Sequence, residues 1–192
     1  MNVNLEVPRL SYHQVDSANL DHAVQIQKAI WPQNPVDRDY LLKAEQSNDP
    51  TNVSWLVRHR ETIIGLTGVY TYDPDETGYD DGESIWMDWF GLLPDFRHYG
   101  FGRQILLDTI RYAERLHRFK YFRLDTSDFA GRASTKLYDK VMQLREDYTA
   151  EVYPEGYHGL VFSYSLNGSP IKPWGNRPLD LGLYGSLETT IV

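Results

Sequence analysis

The chain has no cysteine, which excludes disulfides, a thiol nucleophile and thiolate metal sites. It also lacks any run of 18 apolar residues, and its opening MNVNLEVPRL has neither the basic start nor the apolar centre of a signal peptide. A cytoplasmic protein with no membrane partner is therefore expected. Basic residues are scarce, 19 Lys and Arg against 27 Asp and Glu for a net charge of -8, which argues against nucleic acid because phosphate affinity needs displaced counterions. Several site signatures are missing too. No Gly-Lys-Ser/Thr follows a glycine turn, and no three-glycine dinucleotide fingerprint, H-E-x-x-H pair or G-x-S-x-G elbow occurs. His13, His22, His59, His98, His117 and His158 are scattered, so no metal site is expected.

What is present suits a globular enzyme. With 192 residues, 41% hydrophobic and 14% aromatic, the chain can bury one core, and residues 1–166 are expected to form a single domain. Asp73, Asp75, Glu76, Asp80, Asp81 and Glu83 crowd one stretch, which reads as a solvated loop or as a field attracting a cationic partner.

Leu20, Ala23, Val24, Gln27, Ile30 and Trp31 fall at helical spacing before Pro32. Asn34, Pro35 and Asp37 then read as cap, first position and third position of a second helix that buries Tyr40, Leu41 and Ala44. Strands are expected over Val53 to Val57, Ile63 to Tyr72 and Ile85 to Leu93, with Arg58 to Glu61 turning the first pair. A bend from Arg97 to Gly102 leads to a helix with the stripe Ile105, Leu106, Thr109, Ile110, Ala113 and Leu116. Tyr121 to Asp125 is a strand. A helix capped by Ser127 or Asp128 follows, with Ala130, Ala133, Leu137 and Val141 on its apolar face. The last strands are Asp147 to Tyr153 and Gly159 to Leu166, around a Pro-Glu-Gly turn. The order is β, α, α, β, β, β, α, β, α, β, β, an α/β fold with a mixed sheet and helices on its faces. Residues 167–192 read as an extension packed on the domain or on a partner, where Leu181, Leu183, Tyr184 and Leu187 would cover a homodimer contact.

The bend carries the chemistry. Arg97, Gly100 and Gly102 make an R-x-x-G-x-G turn between strand and helix, where glycines bring bare N–H groups close to an anion and the helix start favours negative charge. A diphosphate fits such a site.

Leu92, Pro94, Arg97, Gly100 and Gly102 resemble the coenzyme A motif of the GNAT superfamily of N-acetyltransferases, V-x-P-x-x-R-x-x-G-x-G/A, with Leu92 at the Val position. Ala133 to Lys140 resembles that family's A-x-x-x-L-Y-x-K helix, with Leu137, Tyr138 and Lys140 matching. The resemblance implies a GNAT-like sheet of about six to seven mostly antiparallel strands flanked by four helices, with acetyl-CoA as cosubstrate. It also implies that the segment Leu92, Leu93, Arg97, His98, Tyr99, Gly100, Phe101, Gly102, Arg103 and Gln104 holds the cofactor. By the same resemblance the Leu92 N–H polarises the thioester carbonyl, an oxyanion contact worth roughly 3 kcal/mol of barrier, and Tyr138 protonates the departing thiolate. The chain departs from the pattern at Gly131, where Asn is common, and at Met142-Gln143, where Gly-Phe is usual.

Read from the residues alone, Tyr138, one of fourteen tyrosines, is a packed aromatic on a helix face. As a general acid it pairs a phenol of pKa about 10 with a thiol of about 8.5. An amine acceptor arrives protonated and needs a base. Asp88, four residues before Leu92 and so on its face of a regular strand, is the first candidate, and Glu83 is the second. Each is equally a structural carboxylate. The expected function is acetyl transfer from acetyl-CoA to a primary amine, a small molecule or peptide, by direct attack in a ternary complex. The alternative is a catalytically silent acyl-CoA-binding module that senses a ligand. Trp31, near the junction of the first two helices, is a candidate wall of the acceptor pocket.

Overall fold

The computed structural model of the chain describes residues 9–34, 36–71, 82–127, 132–148 and 159–175. In chain order these form β1 (Leu10–Gln14), α1 (Leu20–Ile30), α2 (Arg38–Ser47), β2 (Val53–His59), β3 (Thr62–Tyr70), β4 (Ser84–Leu92), α3 (Phe101–Arg115), β5 (Tyr121–Ser127), α4 (Arg132–Val141), β6 (Leu144–Tyr148) and β7 (Gly159–Ser165). A short 3₁₀ turn, Pro94–Phe96, links β4 to α3. The strands lie in the order β1-β2-β3-β4-β5-β7-β6. The pairs β1/β2, β2/β3, β5/β7 and β6/β7 are antiparallel, and β4/β5 is parallel over Ser84–Trp86. The mixed α/β order, seven strands and four helices agree with the sequence reading.

Element ends differ where side chains compete for backbone groups. α1 ends at Ile30, with the Trp31 N–H returned to the Gln27 carbonyl at 2.8 Å. α2 opens at Arg38, three residues after the expected first position, because the Asp37 carboxylate accepts the Tyr40 N–H at 3.0 Å and so caps the helix itself. Pro35 is outside the described residues. The β2–β3 hairpin turns on Arg60 and Glu61, with Arg60 at φ 55°. Its register shifts between Val57 and Arg58, leaving Ile64 as the extra residue of a bulge. β6 starts at Leu144 rather than Asp147 because Leu144 to Tyr148 pair with β7 from Ser163 to Gly159. On α4 the expected face is off by part of a turn: Ala133 is exposed, while Tyr138 and the following Met142 are buried. Ala130, the cap at Asp128, the Pro-Glu-Gly turn and the leucines of the last segment are outside the described residues.

The chain divides into two compact units, Met1–Val69 with Asp88–Leu106 and Tyr70–Met87 with Leu107–Val192. In the first unit, Val15, Leu20, Ala23, Leu41, Leu56 and Leu66 form a cluster joined by Trp31 and Trp89, bringing α1 and α2 onto β2 and β3. A second cluster joins Val57, Ile64, Phe101 and Ile105 to Phe90, Leu92 and Phe96, so the start of α3 covers residues pointing the other way. Each fully buried Leu or Ile contributes about 1.5–3 kcal/mol.

In the second unit the buried guanidinium of Arg123 replaces part of an apolar core. It donates to Ser84 Oγ at 2.9 Å, Ser163 Oγ at 2.5 Å and the Lys172 carbonyl at 2.7 Å. Trp174 packs edge-on against Trp86, and its N–H is held by the Glu146 carboxylate. Residues 167–175 thus pack on their own unit. No helix among the described residues is long and apolar enough to cross a membrane.

Candidate functional site

The second half of β4, the 3₁₀ turn and the start of α3 form a continuous segment inside the first unit. The Leu93 N–H donates to the Ile64 carbonyl at 2.9 Å, toward β3. Alternation along an extended chain then directs the Leu92 N–H to the opposite edge. The Leu92 carbonyl accepts Arg97 Nε at 3.0 Å, so Arg97 folds the bend back onto the strand. The 3₁₀ turn takes the Phe96 and Arg97 amides to Leu93 and Pro94 carbonyls.

The bend is shaped by two residues with positive φ, His98 at 69° and Gly100 at 85°. Nothing lies within 4 Å of where a Cβ on Gly100 would stand. Among the described residues no hydrogen bond takes the amides of His98 to Arg103, and the first turn of a helix has no carbonyl four residues back to serve. Arg97, His98, Tyr99, Gly100 and Arg103 are exposed, and Phe101 is buried against His59 and Phe96 as the anchor of the bend. Open amides at a long helix's N-terminus, with Arg97 and Arg103 exposed in the same segment, fit a diphosphate. Three members of the expected set have their amides committed inside the fold: Leu93 to Ile64, Arg97 to Pro94 and Gln104 to Gly100.

Asp88 is 5% exposed. Its Oδ2 accepts the Ser54 hydroxyl at 3.3 Å. Burial pushes its pKa from 3.8 up to about 6, opposed by the Trp89 amide, the neighbouring Tyr40 hydroxyl and Ser54. The expectation that Asp88 shares the face of Leu92 needs correcting. Asp88 meets Ser54 and α2's Tyr40, and the next residue, Trp89, joins the cluster under α1 and α2, whereas Leu92 packs with Phe101 and Ile105. Two consecutive residues turned to one layer break the two-residue period, so the parity count fails.

Glu83 precedes β4 in the second unit and pairs with Lys120 Nζ at 2.5 Å. The hydrogen bond and charge of Lys120 hold its carboxyl below the usual range. A carboxylate kept so readily ionised is a poor proton acceptor, which leaves Asp88 the stronger base candidate. Tyr138, also in the second unit, is buried on α4 with its ring centroid 5.4 Å from that of Phe162. Burial, then the Asp125 charge, push its pKa up. The gap to a thiol is therefore wider than the free phenol suggests. Asp73, Asp75, Glu76, Asp80, Asp81 and Gly131 are outside the described residues. No group of His, Asp and Glu among the described residues could hold a metal ion.

Ser54, Tyr40 and Gly68, which surround Asp88, were not legible as site residues. The available signal was Gly65 and Gly68 inside a β-branched strand, since glycine there marks close backbone approach.

Solved structures share this fold. NAA60 of Arabidopsis thaliana in complex with acetyl-CoA matches with TM-score 0.61 and 15% identity over 83% of this chain and 100% of its own. The ribosomal-protein-S18-alanine N-acetyltransferase of Escherichia coli matches with TM-score 0.61 and 13% identity over 86% and 99%. Mutant forms of the spermidine/spermine N-acetyltransferase SpeG of Vibrio cholerae match with TM-score 0.62 and 14% identity over 82% and 95%. No curated protein matches the chain by sequence. The profile of the Acetyltransferase (GNAT) family matches residues 20–142, a span holding both the glycine bend and Tyr138, and the chain belongs to that family.

Proposed function

We propose that the chain transfers an acetyl group from acetyl-CoA to a primary amine by direct attack in a ternary complex. The observation that carries this reading is the open bend at Gly100, followed at once by the unbonded amides of Phe101, Gly102 and Arg103. Those amides, with the Arg97 and Arg103 side chains, would hold the diphosphate of the cofactor. When bound, acetyl-CoA supplies an activated acyl thioester. The Leu92 N–H, directed away from β3, is the donor for charge developing on the acyl oxygen. Asp88, with a pKa of about 6, is mostly ionised at neutral pH and takes the proton that an alkylammonium must lose before attack. Tyr138 stays protonated under the same conditions and donates to the departing sulfur. The acceptor is a small molecule or peptide amine, with a cationic one favoured by the net charge of -8. By their names, one neighbouring fold acetylates an alanine of ribosomal protein S18 and another acetylates spermidine and spermine. A single domain over residues 1–166 and a cytoplasmic setting complete the reading.

A thiol-release screen with acetyl-CoA across polyamines, aminoglycosides and peptide N-termini tests it. Turnover with at least one class, falling about 10²–10⁴-fold in Tyr138→Phe with little change in KM, is the expected result. Acetyl-CoA binding by calorimetry with no release on any amine would instead favour the ligand-sensing module.

A further inference from the structure

β2, β3 and β4 are successive strands, so Ser54 and Asp88 stand on strands two spacings apart, about 9.5 Å between backbones. Side chains at that separation normally meet the side chain of the middle strand. Here the residue paired with Ser54 on β3 is Gly68. A Cβ at Gly68 would stand 3.2 Å from Asp88 Cβ and 3.2 Å from Ser54 Cα, in the space over which Ser54 Oγ donates to Asp88 Oδ2. Both ends of the bond are buried, so water does not compete for it and its loss leaves a buried carboxylate short of a donor.

We propose that Ser54 is a positioning residue for catalysis, holding the Asp88 carboxylate through Oδ2 by a hydrogen bond that the absence of a side chain at Gly68 permits. The inference rests on the reading of Asp88 as the base. Ser54 touches neither amine nor cofactor; it fixes the carboxylate's rotamer and favours its ionised form. Among the described residues, the other groups acting on that carboxylate are the Trp89 amide and Tyr40 of α2, which is titratable, and no charged side chain contributes. Removing the Ser54 donor therefore favours the protonated acid, which cannot accept the amine's proton.

The test is the pH dependence of kcat and kcat/KM at saturating acetyl-CoA for the full chain and its Ser54→Ala, Ser54→Thr and Asp88→Asn variants. In Ser54→Ala the acid limb is expected to move up by about 0.5–1 unit. Rates should be several-fold lower near pH 6 and close to those of the unaltered chain above about pH 8, with the amine KM unchanged. Ser54→Thr, which keeps the hydroxyl, should return the limb. Ser54→Cys keeps the volume with a weaker donor and carries the same expectation should the alanine variant melt early. A limb unmoved in both Ser54→Ala and Ser54→Cys, while Asp88→Asn abolishes it, overturns the role of Ser54 alone. A limb and rate that survive in Asp88→Asn overturn the base assignment, and the role of Ser54 with it.

Discussion

The indole of Trp31 meets that of Trp89 edge to face, with ring centroids 5.0 Å apart. The contact fixes the C-terminal end of α1 against β4 one residue beyond Asp88, and both rings remain half-buried. Gly91 completes the fit, since a Cβ there would stand 2.8 Å from the Trp31 ring. Trp31 therefore has part of its ring in the core and part open to solvent. Trp31→Ala is expected to raise the amine KM about tenfold while leaving the acetyl-CoA dissociation constant unchanged, at a stability cost of about 1 kcal/mol for the lost aromatic pair on top of the burial lost with the ring. Steady-state kinetics varied in each substrate separates the two; a change in stability alone would make Trp31 a packing residue.

Gly100 tests the cofactor bend. Its φ of 85° suits glycine, whereas a β-branched residue held there pays about 1–2 kcal/mol of local strain. Space is not the obstacle, because nothing lies within 4 Å of the Cβ position. Gly100→Val should therefore act through the backbone, swinging the amides off their anion. A roughly tenfold weaker acetyl-CoA affinity by calorimetry is expected, about 1.4 kcal/mol, with little change in kcat at saturation. Unaltered affinity would separate the bend from the cofactor.

Arg123 and Trp174 hold one segment from two sides. Arg123 donates in three directions, the last to the Lys172 carbonyl, and its guanidinium lies 5.8 Å from the Trp174 ring centroid. Trp174→Ala should cost about 3–5 kcal/mol in urea unfolding. Arg123→Lys, which cannot reach three acceptors from one planar fork, should cost about 1–3 kcal/mol. Because both changes release residues 170–175, the double variant should fall short of the sum by about 0.5–3 kcal/mol. Strict additivity would mean that the two side chains stabilise the chain independently.

Local patterning carried the fold far. The element order was legible because α1 and α3 hold their periods without interruption and turn residues set the strands apart, and the glycine bend because its chemistry is written in adjacent residues. The start of α2 was misread because Asn34 and Asp37 both satisfy cap chemistry, and only the carboxylate's bond to the Tyr40 amide decides between them. β6 was misread because its charged outer residues Arg145 and Asp147 hide the pairing with β7 that makes it a strand. The Asp88 environment was illegible for another reason. Ser54, Gly68 and Asp88 are brought side by side by pairing across three strands, and the slip at Trp89 defeats a parity count along β4.

That same burial gives Asp88 a signature in stability. Its pKa rises from 3.8 to about 6 on folding, so between about pH 4 and 6 the folded chain holds a proton that the unfolded chain has lost. Stability then falls as pH rises through this window. The stabilising contribution is complete below 3.8 and gone above about 6, a change of about 3 kcal/mol at 1.36 kcal/mol per unit. Asp88→Asn keeps the shape and does not titrate. Its urea-unfolding free energy, compared with that of the unaltered chain at each pH, should improve by about 3 kcal/mol between pH 4 and pH 8, while kcat/KM at pH 8 drops about 10²–10⁴-fold. Parallel stability curves would mean that the carboxylate titrates as if in water. In that case neither its burial nor its partners could hold the proton acceptor near neutrality.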